Sequence, residues 1–426
     1  MKRKNDHKDG FKDTEIGVIP NDWDVVELGY ALKEVNIRAE EIEDYQDLTV
    51  LSLTKNSGLI PQIDRFDHRV AVKDVRKYKV VKKNWIAYNP YVIWEGAIHS
   101  LKNKKMGVVS PAYVVWECSL VDESYLDFIL RTNLLIQQYN RYAAGAVNRR
   151  RSIKKKDFKK ILIPYPPLSE QKKIAGVLSA VQEAKEKTGE VIKAAKELKQ
   201  SLMKHLFTYG PVSIEEAENV KLKETEIGMI PEEWETVNLN SVCSLRKETI
   251  DPKNSESLHY IGLEHIVPGD LKIRKYGNSS SVKSTKHVFY KGDILYGKLR
   301  PYLNKVAIPE MEGICSTDIM VFKVNANIIN IDYLAYYLHS KPFLEYATIT
   351  MTGVNHPRTS WTKLKNYPIP FPAQNIQRKI SDYLSSIDQK IEAEENKKKA
   401  LEELFKSLLN NLMTGKIRVN NLNIDV

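Results

Sequence analysis

The chain has 426 residues and 42% hydrophobic content, enough for real buried cores and for more than one domain. Lys and Arg exceed Asp and Glu to give a net charge of +11, which favours an anionic partner, nucleic acid or a membrane surface. Cys118, Cys243 and Cys315 lie far apart, which excludes a disulfide framework or a cysteine zinc site, and no apolar run has the length of a membrane span, so a cytoplasmic protein with reduced thiols is expected.

Residues 1–12 read as a polar lead. The segment Thr14-Glu15-Ile16-Gly17-Val18-Ile19-Pro20, followed by Trp23, then opens a first body, taken as 13–163. Residues 70–81 and 85–94 are rich in β-branched and aromatic residues and predict strands; residues 107–116 predict another. Leu126, Ile129, Leu130 and Leu134 have helical spacing and predict a helix over 125–139, so the body is mixed α and β. A proline-rich hinge follows (Pro164, Pro166, Pro167), and then a long helix over 164–210. Its apolar residues Val177, Val181, Ala184, Thr188, Val191, Ala195, Leu198 and Leu202 form a heptad seam.

The same frame then returns. Thr225-Glu226-Ile227-Gly228-Met229-Ile230-Pro231, with Trp234, repeats the opening at an offset of 211 and starts a second body over 224–369. Within it, residues 291–296 match 83–88, and Cys315-Ser316 matches Val109-Ser110. Ile369-Pro370-Phe371-Pro372 and Gln377-Arg378-Lys379-Ile380 repeat Ile163-Pro164-Tyr165-Pro166 and Gln171-Lys172-Lys173-Ile174 at an offset of 206. A second helix over 370–415 carries Ile380, Leu384, Ile387, Ile391, Leu401, Leu404, Leu408 and Leu412. A period near 200 residues means tandem domains, since stacked small repeats recur every 20 to 50. Each helix would reach on the order of 60 Å, and its stripe needs a partner. The simplest partner is the other helix, antiparallel, with one body at each end.

The chemistry points to nucleic acid. Arg141, Arg149, Arg150, Arg151, Lys154, Lys155, Lys156, Lys159 and Lys160 crowd the stretch before the first hinge, with Asn148 and Ser152 among them. Such residues release counterions from phosphates, and Arg and Asn also pair with base edges. The corresponding loop of the second body holds Asn355, His356 and Arg358. A second candidate surface mixes aromatics and bases: Tyr88, Asn89, Tyr91, Trp94, Lys102, Lys104 and Lys105 in the first body, and Tyr296, Lys298, Arg300, Tyr302, Asn304 and Lys305 in the second. Trp94 and Tyr302 suit a core as well as a contact. Among all of these, Arg149, Arg150, Lys154, Lys298, Arg300 and Arg358 are the strongest candidates for DNA contact. Residues 292–298 fit G-x-x-x-x-G-K, but Leu299 and Arg300-Pro301 stand where a phosphate loop needs Ser or Thr and a helix. Asn89-Pro90-Tyr91 lacks a proline of the adenine-methyltransferase motif, and no His pair has metal spacing. No catalytic or metal site is expected.

With its Thr-Glu-Ile-Gly-x-Ile-Pro-x-x-Trp motifs at 14–23 and 225–234, the run at 163–174 and the closing Leu412-Met413-Thr414-Gly415-Lys416, the chain resembles the specificity (S) subunit of type I restriction-modification systems. The resemblance covers nearly the whole chain. It implies an α+β fold with two target recognition domains separated by two long antiparallel helices in an intramolecular coiled coil with pseudo-two-fold layout. It implies a non-catalytic subunit reading a bipartite asymmetric site on double-stranded DNA. Two modification (M) methyltransferase subunits and restriction (R) translocase/endonuclease subunits would be its partners, bringing S-adenosylmethionine, ATP and Mg. The alternatives are a recognition cassette of a fused or type II-like methyltransferase/restriction system, or a spare cassette exchanged by recombination. Two departures stand out: Ala373-Gln374-Asn375-Ile376 replaces the Pro-Leu-x-Glu of the first hinge, and the first helix ends Thr208-Tyr209-Gly210-Pro211 where the second ends Thr-Gly-Lys.

Overall fold

A computed structural model describes residues 10–55, 58–65, 74–144, 151–252 and 257–419. The chain divides into two compact units, residues 1–187 with 398–426, and residues 188–397. The two long helices, α1 (Leu168–Tyr209) and α2 (Gln374–Met413), each contribute one part to each unit.

In the first unit the opening motif is a hairpin. Phe11–Thr14 pairs antiparallel with Gly17–Pro20, and Gly17 turns the chain at φ 109°. Trp23 follows, fully buried, and its Nε1 donates to Glu170 Oε2 at 2.9 Å. Asp24–Glu27 then pairs antiparallel with Leu162–Tyr165. The start of the proline-rich hinge is therefore a paired strand, with Pro164 opposite Val25. Proline is tolerated there because a two-stranded ribbon leaves one side of each strand without ladder bonds to donate. The main sheet is antiparallel, in the order Leu32–Val35, Val114–Cys118, Ile86–Tyr88, Ile98–Ser100.

Three sequence expectations change here. The run 107–116 is two strands, Met106–Val109 and Val114–Cys118, in different sheets, because Ser110-Pro111 starts a turn whose hydroxyl accepts from Ala112 N. The strand expected over 85–94 is only Ile86–Tyr88, and an Asn89 turn ends it; residues 70–73 of the strand expected over 70–81 lie outside the described residues. The helix expected over 125–139 is two, Glu123–Ile129 and Asn133–Tyr142, because Thr132 caps the second by accepting from Leu135 N.

The second unit repeats the plan. Its main sheet runs Cys243–Leu245, Ile319–Val324, Asp293–Gly297, Val306–Ala307. The G-x-x-x-x-G-K segment is thus a central strand followed by the single turn Pro301–Leu303. A five-stranded sheet stands beside it, with one parallel pair, His259–Ile261 with Gly313–Cys315.

The recurrent sequence motifs are recurrent locks. Tyr125 donates from its hydroxyl to Pro164 O at 3.0 Å, and Tyr333 to Pro370 O at 2.9 Å. Gln171 accepts from Asp122 N at 2.8 Å and donates to Pro166 O at 2.8 Å; Gln377 accepts from Asn330 N at 2.8 Å and donates to Pro372 O at 2.9 Å. Both glutamines are fully buried, so each amide must find partners on both its oxygen and its nitrogen. Each long helix also ends on a left-handed glycine packed against an opening-motif tryptophan: Gly210 on Trp234 in the second unit, Gly415 on Trp23 in the first. Glycine is what the two dissimilar endings keep in common.

Inside each unit the helix segments run antiparallel. In the first, Ile174 and Leu178 share a cluster with Leu412 and Met413, and Lys185 lies over Phe405. In the second, Lys196 meets Glu395 at 2.7 Å and Lys199 meets Asp388 at 2.6 Å. The seam, however, is not the one the heptads predict. Val191 and Leu198 are 40% and 58% exposed, whereas Ile192, Ala195, Lys199, Met203 and Leu206 are buried. Beyond Thr188 the helix also packs on the body of the second unit, through Met203, Leu206 and Phe207, and this turns the buried stripe by one position. Likewise Leu404 is exposed on α2, and Phe405 takes the inward place.

Candidate nucleic-acid interface

In the second unit two candidate segments, 50 or more residues apart in places, are brought together. Arg300 N donates to Pro357 O at 2.8 Å and Thr359 N to Lys298 O at 3.0 Å. Arg358 pairs through its backbone with Thr352, N and O both at 2.9 Å, which closes a loop over residues 353–357. Asn355 and His356 are exposed on that loop. Arg300 is exposed beside it at φ 51°, and Tyr302 is 46% exposed. Lys298, Arg300, Asn355, His356 and Arg358 thus form one surface.

The first unit builds the same bracket. Ala144 and Ser152 bond each other through N and O at 3.1 and 3.2 Å and enclose residues 145–151. Asn148, Arg149 and Arg150 fall inside it and lie outside the described residues. Arg151 packs over the Trp94 ring at 5.4 Å and donates to Asn140 O at 2.9 Å. This joins the loop of residues 89–95 to the bracket. Lys154 is exposed at the start of the helix Lys155–Lys159, and Lys155 pairs with Glu34. Trp94 is half-buried against the core, so it is a support for Arg151 as well as a core residue.

Other candidates have structural duties. Tyr88 and Tyr296 are buried in the two cores and belong to no loop surface. Lys102 sits 3.0 Å from Asp127, which Arg131 also meets at 2.7 Å. Burial pushes the Asp127 carboxyl up, but the charges of Arg131 and Lys102 override it and hold the group far below the usual carboxylate range. Asn304 clamps His339, its Oδ1 2.8 Å from the ring Nδ1 and its Nδ2 donating to His339 O at 3.3 Å. Lys305 donates to Leu263 O at 2.5 Å. Asn89 accepts from Tyr91 N at 3.0 Å and so shapes its own turn. Lys104 and Lys105 stay on the surface, with no side-chain partner among the described residues. Asp318, which holds Arg358 at 2.7 Å, has no signal in the sequence: it is an isolated acid in a turn 40 residues away.

Among the described residues no group of His, Cys, Asp and Glu is arranged to hold a metal ion, and no helix is long and apolar enough to cross a membrane. The model for the type I restriction modification DNA specificity domain matches residues 35–195 and again 231–403, one match to each repeat. The chain belongs to this family. It is 28% identical over 98% of its length, and 98% of the relative's, to the type I restriction enzyme MjaVIII specificity subunit of Methanocaldococcus jannaschii. It is 24% identical to the EcoDI specificity subunit of Escherichia coli over 85% of this chain and 81% of that one. Among solved structures, the S subunit of a type I restriction-modification system from M. genitalium superposes with a TM-score of 0.56 at 14% identity, covering 92% of this chain and 96% of that one. A chain of another type I R-M system superposes with a TM-score of 0.54 at 16% identity over 94% and 99%. The protein is accordingly a DNA-specificity subunit and not a catalytic one.

Proposed function

We propose that this specificity subunit reads a bipartite, asymmetric DNA site, one half with each unit, and docks modification and restriction subunits in the cytoplasm. The observation that carries this reading is the bracketed loop that recurs in both units, Ala144 to Ser152 and Thr352 to Arg358, each followed by a short helix and then the strand that leads into a long helix. One scaffold with two divergent loops reads two different half-sites. Phosphate attraction comes from the basic balance of the chain, and base selection from Arg and Asn at the loops. In this reading S-adenosylmethionine, ATP and Mg belong to the partner subunits.

The test is footprinting of the full-length chain with its modification partner. Two protected stretches separated by an unprotected spacer are expected, with affinity falling steeply as salt rises. One continuous protected stretch, or binding indifferent to salt, would overturn the reading.

A further inference from the structure

The geometry points to a division of labour in the second unit: Arg300, Asn355 and His356 read base edges of its half-site, while Arg358 is a positioning residue that works through Asp318 and does not read DNA. This rests on the reading that the unit contacts DNA at this surface.

Arginine reads guanine with two parallel donors, and it needs them free. Those of Arg358 are engaged. Its Nε donates to Asp318 Oδ1 at 2.7 Å, its Nη2 to Asp318 Oδ2 at 3.3 Å, and its Nη1 to His356 O at 3.1 Å. The fork that matches a guanine edge is spent on a carboxylate. Its backbone closes the loop stem on Thr352, so the side chain ties that stem to the turn at Ser316–Asp318. The loop is tight: Gly353 has φ 101°, and a Cβ there would sit 3.3 Å from His356 O.

Arg300 is the opposite case. It is exposed, and its guanidinium has no hydrogen bond or ion pair among the described residues. Its backbone is held in the left-handed region, φ 51° and ψ 65°, where a residue with a Cβ is disfavoured. Asn304, at φ 50°, closes the same single turn. Strain of this kind survives only where surrounding bonds hold it, and here the bond from Arg300 N to Pro357 O does so. The result is an uncommitted arginine propped beside an exposed Asn and His. That is the donor set for a guanine and an adjacent adenine in the major groove.

Among the described residues the staple belongs to the second unit. Ser110 and Ser316 make the same turn, accepting from Ala112 N and Asp318 N, both at 3.3 Å. Ala112 therefore stands where Asp318 does, and Ser152 stands in the bracket where Arg358 does. The consequences of removing it fall on one half-site.

The experiment is selection from a randomised duplex pool by the full-length chain with its modification partner, followed by salt titration on the recovered sequence. R300Q is expected to erase preference at one G·C pair of one half-site and to lower the slope of log affinity against log salt by about one. D318N, R358Q and the D318N/R358Q double variant are expected to share one common loss, on the order of tenfold, with several positions of that half-site flattened and the salt slope unchanged. The other half-site, retained throughout, reports that each variant is folded. The inference is overturned if R358Q erases a single base preference and lowers the slope while D318N does not, or if R300Q recovers the parental motif. A parental chain that recovers no motif would instead bring down the DNA reading itself.

Discussion

Replacing Lys199 with methionine probes the seam position that the heptads assign wrongly. The Lys199 and Asp388 side chains are 8% and 22% exposed, and their atoms lie 2.6 Å apart. The ammonium also donates to Gly269 O at 3.0 Å and lies over the Tyr336 ring at 5.3 Å, while Tyr336 donates to Asp388 Oδ2 at 2.8 Å. Methionine keeps the stem but leaves the carboxylate with the tyrosine alone. Breaking a fully buried pair costs ~3–5 kcal/mol, and the partial exposure of Asp388 reduces this. The lost bond to Gly269 adds ~1 kcal/mol, and the apolar replacement returns part of the sum, so a loss of about 2–3 kcal/mol is expected. Urea unfolding of the full chain, with hydrogen exchange followed in residues 266–274 and 380–395, measures it. D388N removes the charge and keeps an acceptor for Tyr336, so K199M/D388N should be more stable than K199M by about 1–2 kcal/mol. A K199M protein within 0.5 kcal/mol of the parent, or a double variant showing the sum of both losses, would refute an electrostatic lock at this position.

Burial lowers His99 to about 4 and His339 to about 3, from an ordinary value of 6.5. Below pH 6.5 the unfolded chain takes up protons that the folded chain refuses, so stability falls on acidification, by as much as about 1.4 kcal/mol per pH unit for each ring. For His99 the fall ends near pH 4. His99→Gln should therefore lose less between pH 7 and 5 than the parent in urea midpoints, and equal losses would contradict this. Gly415→Ala would place a Cβ 2.3 Å from Pro20 Cγ at φ 67°, and a loss of about 2 kcal/mol, with faster exchange in the opening hairpin, is expected. Arg418→Ala should destabilise the first unit by about 3 kcal/mol, because Glu170, whose side chain is 2% exposed, keeps only Trp23 among the described residues after losing the guanidinium at 2.8 Å. Unchanged thermal unfolding would show that this cluster contributes nothing.

The two-body frame, the long helices and the paired motifs were all legible in the sequence. Each is written locally, in recurring Trp, Gln and Gly positions or in the apolar heptads of the two long helices. Those residues recur because each satisfies a lock inside its own unit, so the same letters serve the same bonds twice. What tertiary structure alone decided is which side chains are free. Lys102, Asn304, Lys305 and Arg358 have the composition of a DNA surface, yet each is claimed by a partner 25 to 42 residues distant in the chain. Tyr88 and Tyr296 were drawn into the cores by ring packing, on Phe158 in the first unit and on Phe322 and Phe343 in the second, and the seam of α1 turned at Thr188 because a body, not only a helix, covers it there. Composition fixes the chemistry a loop has available, but a charge paired inside the fold has already given its donors away, and only the folded geometry shows which remain.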